Sequence, residues 1–353
     1  MRGEDSGIPI FIQERMRNMR QYRWLAIINE HAGKKEASQK WPMLHEKLLA
    51  GGVTIDAQVT EKAGDAITMT GEALRNGYTG IIAVGGDGTL NEVLNGFWQD
   101  GNLINPEAVL TFVNMGTGGD FSRTIAMNPF GQDSQTPGMS NNSRTPDAEA
   151  LADRLVNGRL QKMDIGQVRF GEAQQESRYY INGANVGVGA ETVRRVNEQD
   201  TKPGGGHISY MITALSGLMS FKPRHLRVVV DGECKMDEKL YAVMVCNGRF
   251  IGAGMMITPH AQLTDGKLDV VTIQKMSLIR LLRNFLKIYK GTHLGVKGVS
   301  CWQGSRIEVS EPELPASGHR SIVEVDGEIL GYCPASYTSL SRAVTMWLPE
   351  ETR

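Results

Sequence analysis

Two glycine-rich turns, GGDGT at 85–89 and GTGGD at 116–120, each follow a strand-like apolar run, and the first leads straight into a helix-like one. Glycines at a strand-to-helix turn let backbone N–H groups approach a ligand closely, and the start of a helix favours an anion. This predicts a phosphate cradle. It is not a P-loop, because no Lys follows the last glycine, and it lacks the G-x-G-x-x-G spacing of dinucleotide folds. Asp87 and Asp120 are the unusual members, since a carboxylate beside phosphates repels them unless a divalent cation lies between. A plain Asp-Gly turn with Thr89 at the helix start is the competing reading of the first turn.

The surrounding pattern supports two turns on one sheet. "WLAIINE" from Trp24 reads as a buried strand, "ASQKWPMLHEKLLAGG" as a helix with a glycine stop, and "TIDAQVT" as a strand. "DAITMTGEALRNG", "TGIIAVGG", "TLNEVLNGF" and "AVLTFVNMG" continue the alternation. A repeating βα order implies a parallel sheet covered on both faces, and turns at the ends of successive parallel strands face one crevice. The polar run "GQDSQTPGMSNNSRTP" at 131–146 reads as a loop insertion, and "DAEALADRLVNG" closes this half as a helix. From about Met163 the chain changes to short β-rich segments separated by turn signals, which predicts an antiparallel sandwich interrupted by helices at 209–221 and 277–289. The expected organisation is an N-terminal extension (1–21), an α/β nucleotide-binding domain (22–160) and a β-sandwich acceptor domain (161–349).

Bulk properties narrow the function. In 353 residues, 22% are charged yet the formal net charge is −1, so nothing pulls the whole chain toward nucleic acid. Cys234, Cys246, Cys301 and Cys333 lack C-x-x-C spacing, which suggests neither a zinc site nor a disulfide framework and suits a reducing cytoplasm. The first twenty residues lack the apolar core of a secretory signal, and no apolar stretch reaches the ~20 residues that span a bilayer.

At this point the sequence resembles the diacylglycerol kinase catalytic-domain family, from about Trp24 to Pro349. "GGDGTLNEVLNG" is shared with sphingosine and ceramide kinases, and "GTGGDFSR" is similar to the family's G-T-x-N-D-F-A-R, which NAD kinases lack. "CNGRFIGAGMMITPHAQLTDGKLDVV" and "VEVDGE" resemble two later family motifs. The resemblance implies that Gly85, Gly86, Gly88 and Thr89 hold ATP phosphates, with Gly116 and Thr117 beside them, and that Asn29, Gly33 and Thr60 line the nucleotide site. It implies an acidic network of Asp87, Asp120 and Asp164 around catalytic Mg²⁺ between the domains, and Asp326, with Glu328 nearby, as base for a lipid hydroxyl. Asp265 and the Leu268 carbonyl would hold a structural cation. The sequence departs from the family at Gly119, where Asn is usual.

Each aspartate has a plainer reading, because Asp-Gly after a strand is a common hairpin signal and also occurs at Asp231 and Asp265. In the 277–289 helix, Arg280, Arg283, Lys287 and Lys290 share one face and leucines the other, which suits an anionic membrane surface or a core-packed helix with a solvated face. The expected activity is an ATP- and Mg²⁺-dependent lipid kinase with diacylglycerol as leading acceptor. It would work in the cytoplasm and peripherally on the inner face of the membrane, bind no nucleic acid, and be compatible with a homodimer. A sphingoid base, another lipid alcohol or NAD as acceptor, or a catalytically silent nucleotide or lipid sensor, are the alternatives.

Overall fold

The computed structural model describes residues 19–34, 36–116, 118–127, 130, 152, 155–156, 158–198, 216–217, 219–313 and 318–348. The expected 131–146 loop, most of the helices expected at 147–158 and 209–221, and Thr117 lie outside the described residues. The chain forms two compact units. One draws on Met1–Gly116, Asn142–Lys162 and Val344–Arg353, the other on Thr117–Asn141 and Met163–Ala343.

In the first unit, β1 (Trp24–Ile28), α1 (Glu36–Ala50), β2 (Ile55–Val59), α2 (Asp65–Arg75), β3 (Gly80–Gly85), α3 (Asp87–Asn95) and β4 (Val109–Asn114) follow the expected alternation. A two-residue-a-side hairpin between α3 and β4 was not expected. The four strands β1–β4 pair in parallel, in the order β2-β1-β3-β4. The entirely apolar β1 is buried along its length, as a strand covered on both faces must be.

The boundaries differ from the expected 22–160 and 161–349 in three places. Met19 is fully buried and its carbonyl accepts the Trp24 indole N–H, so Met19 belongs to the first unit's core and not to an extension, while Arg20 and Gln21 are exposed. The α4 helix (Asp120–Ala126) belongs to the second unit. Finally, the long strand β15 (Ala335–Leu348) ends in the first unit, where Thr345 and Met346 pair in parallel with Val109 and Leu110. Its Trp347 is buried, donates to the Leu155 carbonyl at 2.6 Å, and offers its own carbonyl to Thr111 Oγ1 at 2.7 Å.

The second unit is the expected antiparallel β-sandwich. It contains β5 (Arg159–Phe170) from Met163 onward, β6 (Glu176–Tyr180), β7 (Gly183–Gly187), α5 (Val188–Glu198), β8 (Arg224–Val230), β9 (Glu233–Cys246), β10 (Leu268–Gln274), α6 (Leu278–Phe285), β11 (Val299–Gly304), β12 (Arg306–Ser310), β13 (Ile322–Val325) and β14 (Glu328–Tyr332). Strand β9 joins the layers: its first half pairs with β8, its second half with β7 on one side and β10 on the other. Val243 and Val245 point into the sandwich core, while Tyr241, Met244 and Cys246 face a second apolar layer with Leu281 of α6 and Ile288 just beyond it. The segment from Leu240 is therefore buried on both faces. The expected 277–289 helix is α-helical only to Phe285 and tightens into a 3₁₀ turn over Leu286–Lys290. Among the described residues no helix is long and apolar enough to cross a membrane, and all four cysteines are free thiols.

Replacing Trp347 with Ala removes a buried indole and its hydrogen bond from the first unit's sheet. We expect a loss of about 3–5 kcal/mol in denaturant unfolding followed by the first unit's remaining tryptophans. A loss below about 1 kcal/mol would show that the last strand adds little there.

Candidate active site

In the first unit, the predicted turns come together at the carboxyl ends of β1, β3 and β4. A Cβ added at Gly116 would lie 2.5 Å from Gly86 Cα, so the two glycine turns touch backbone to backbone. Asn114 Oδ1 accepts the Gly116 N–H at 3.0 Å and shapes the second turn. Asn29, at the end of β1, donates from Nδ2 to Thr89 Oγ1 at 3.1 Å, tying the first βα turn to the start of α3. The β2 and β3 neighbours of β1 lie on opposite sides of it, so Asn29 and Gly85 flank the point where strand order reverses, where open α/β sheets bind ligands. Gly33 sits on the same first βα connection with φ +58°.

Helix α3 begins at Asp87 with Gly86 as its cap, and a glycine cap offers no side chain to the first-turn amides. That leaves an anion-binding helix start. Gly85 is required by packing, because a Cβ there would meet Thr89 Oγ1 at 2.3 Å. Gly88 is different: it is exposed, and a Cβ would meet nothing within 4 Å. Thr60 N and Oγ1 both bond the Ile28 carbonyl, so this hydroxyl secures the sheet end.

In the second unit, the predicted aspartates share one geometry: each carboxylate gathers backbone amides from an irregular loop. Asp120 accepts Ala253 N at 2.8 Å and Gly254 N at 2.7 Å, and pairs with Arg123. Asp164, fully buried, accepts Gly266 N at 2.6 Å and Arg342 N at 2.7 Å. Asp326 accepts Ile181 N, Asn182 N and Gly183 N at 2.9–3.1 Å from its own left-handed turn position, φ +46°. Asp231, read from sequence as a simple hairpin residue, does the same for Ser305 and Arg306, and these bonds, the Arg306 amide foremost, pull its pKa down. Glu328 pairs with Arg178 at 2.7 Å.

Among the described residues no group of three or more His, Cys, Asp or Glu side chains is disposed to hold a metal. Asp120 and Asp164 spend carboxylate oxygens on amides, so they do not make a protein cage by themselves. Asp87, on the first turn of α3 at the anion site, fits a Mg²⁺ that takes its other ligands from phosphates and water, as Mg²⁺ commonly does. Asp265 accepts the Lys267 amide, and burial, reinforced by Asp164, raises its pKa; Leu268 is buried in the β10–β11 ladder.

Residues 23–168 match the diacylglycerol kinase catalytic domain model, and 183–348 match the YegS C-terminal NAD kinase beta sandwich-like domain. The chain is 26% identical over 326 residues to the diacylglycerol kinase of Bacillus subtilis (strain 168), covering 92% of this chain and 96% of that one. It is 28% identical over 329 residues to the diacylglycerol kinase of Staphylococcus haemolyticus (strain JCSC1435), covering 92% and 88%. A crystal structure of a diacylglycerol kinase from Bacillus anthracis str. Sterne shares the fold with a TM-score of 0.60 at 18% identity, over 93% of this chain and 97% of that one. The chain belongs to the diacylglycerol kinase catalytic-domain family. It is a lipid kinase by that membership.

The family setting gives the departure at Gly119 a physical reason. Gly119 caps α4 in the left-handed region, φ +65°, a conformation that Gly and Asn adopt most readily. Sequence reasoning missed several residues of the second unit. Asn247, inside the family-like "CNGRF" run, donates to the carbonyls of Asp164 and Ile181 and so connects the Asp164 and Asp326 loops. Glu324 is buried at 3% exposure and accepts from Asn185 Nδ2 and Gly327 N. It alternates with the core residues Val323 and Val325, so it lies on the opposite face of β13, which α5 packs over and covers.

Burial, with a contribution from Asp326, pushes the Glu324 carboxyl up from 4.5 to about 7. A carboxyl with a raised folded-state pKa holds its proton better folded than unfolded. Its contribution is therefore full below pH 4.5 and is lost as pH rises toward about 7. Glu324→Gln should remove on the order of 2–3 kcal/mol from the fall in stability across that window, read by thermal melts. An unchanged slope would mean Glu324 ionises as an exposed carboxyl does.

Proposed function

We propose that the protein transfers the γ-phosphoryl group of Mg²⁺–ATP to the hydroxyl of a diacylglycerol. The observation that carries the nucleotide half is the pair of abutting glycine turns beside the glycine-capped start of α3. Gly88 supports it separately, since packing does not demand a glycine there whereas a phosphate lying on its amide would. In this reading the amides of Gly86, Gly88 and Thr89 bind phosphate oxygens, Gly116 admits them by its lack of a side chain, and Asp87 holds the Mg²⁺. The metal would neutralise charge developing on the transferred group. Asp120 and Asp164 shape the loops of the second unit.

Asp326 is the proposed acceptor of the hydroxyl proton. Its three amide donors fix the carboxylate in one orientation, which a general base requires. A lipid acceptor, and not NAD, is favoured by an apolar cavity of about 100 Å³ in the second unit, partly open to solvent. Its walls include Met244, Met255, Ile257, Leu281 and Phe285. His293 also lines it, buried, and among the described residues neither ring nitrogen completes a hydrogen bond of normal geometry, although the Ile257 backbone acts on the imidazole. A polar group on an otherwise apolar ligand would satisfy that imidazole. The names of the relatives favour diacylglycerol, and in this reading the enzyme meets its lipid at the membrane surface.

The deciding experiment incubates purified protein with labelled ATP and a panel of diacylglycerol, a sphingoid base, other lipid alcohols and NAD. Label is expected in diacylglycerol, and label only in NAD would overturn the reading. Gly88→Ala should leave melting unchanged but weaken ATP binding at least about tenfold, because an added Cβ meets only the ligand. Equal affinity would remove the phosphate from that amide.

Asp326→Asn should lower kcat by ~10²–10⁴ with little change in the KM for ATP. Asp231→Asn is the matched control, because that aspartate also braces a loop through several donors. It should lose comparable stability and keep its turnover. Equal losses of turnover in both variants would make Asp326 structural.

A further inference from the structure

Between Lys275 and Lys297 the sequence carries six Lys or Arg and no Asp or Glu. The segment folds as α6 followed by the 3₁₀ turn, which Gly291 ends at φ +66°. Its inner side is committed: Leu281 and Ile288 are buried, and with Asn284 and Phe285 they line the apolar cavity. The outer side is not an ordinary solvated face. Ile279 is 72% exposed and Leu286 62%, and they stand among Arg280, Arg283 and Lys287. A shallow groove is lined by Ser277, Ile279, Arg280, Arg283, Asn284 and Lys287. Among the described residues none of these three cations is paired with a carboxylate.

Exposed aliphatics interleaved with unpaired cations match the chemistry of one surface, an anionic bilayer. Apolar side chains enter the acyl boundary, while long basic ones lie along it and reach the phosphates. We propose that the outer face of residues 277–290 docks the protein on anionic membrane, with Ile279 and Leu286 inserted and the Arg280–Arg283–Lys287 groove holding lipid phosphate. This deepens the lipid-kinase reading and rests on it for its purpose: one short helix would touch the leaflet with one side and wall the cavity with the other, so that an acceptor lipid leaves the bilayer beside its apolar site.

The test is sedimentation of the full chain with vesicles of phosphatidylcholine alone or doped with phosphatidylglycerol, at low and at physiological ionic strength. Wild-type protein should bind only the doped vesicles, more weakly as salt rises. Each cation near such a surface is worth roughly fivefold in partitioning, so Arg283→Glu with Lys287→Glu should lower binding at least about 25-fold. Ile279→Ser with Leu286→Ser should also lower it while keeping the salt dependence. All variants should melt as wild type and phosphorylate lipid dispersed in detergent micelles at the wild-type rate. Equal binding to neutral vesicles, or unchanged binding by both double variants, overturns the proposal. If the variants lose vesicle binding but the wild type phosphorylates no lipid, the docking face stands and the kinase reading falls; if it phosphorylates lipid but binds no doped vesicle, the reverse holds.

Discussion

Buried irregular backbone must find acceptors for its N–H groups, and in the second unit aspartates supply them. Asp120, Asp164, Asp231 and Asp326 each take two or more main-chain or hydroxyl donors from turns, strand ends and, at Arg342, a left-handed position within β15. Hydrogen bonds to an ionised acceptor are roughly twice as strong as neutral ones, so one short side chain can hold a loop that packing alone would leave loose. The left-handed turns at Ala253, Asp326 and Arg342 are parts of the same arrangement. Chemistry at these carboxylates is inseparable from the geometry they impose.

The sandwich depends on a different constraint, the double-sided burial of the second half of β9. One face closes the core between the sheet layers, and the other demands a cover that α5 and α6 provide. That cover is incomplete. Where it leaves space, the walls are aliphatic and aromatic side chains around a buried imidazole, which is the composition of a small-molecule site more than of a packing defect.

The first unit was legible because its signals are local. Apolar runs, glycine stops and the two glycine turns gave the βα order, and parallel topology then brought Gly86 against Gly116. In the second unit the strands were legible but the use of their polar residues was not. Nothing in "VEVDGE" marks Glu324 as buried, because the helix that covers it lies more than a hundred residues earlier in the chain. Asp231 and Asp326 carry the same Asp-Gly signal, and the partners that give each its donors are set by tertiary structure. Trp347 was missed for a related reason, since its indole bonds Leu155, 192 residues earlier in the chain; Met19, by contrast, is tied to Trp24 only five residues on, and its polar, charged surroundings hid it.

The return of β15 to the first unit has a consequence during synthesis. Strand β4 is complete at Asn114, but the residues that pair along it from Val344 follow ~230 residues later, a delay of roughly 10–50 s at ribosomal rates. Through that interval the nascent first unit carries an apolar strand edge, Val109 to Val113, whose N–H and C=O groups have no covering strand from the chain's end. Its Trp347 plug is not yet made. The glycine turns can therefore form early, whereas a closed first unit must wait until the sandwich has been translated.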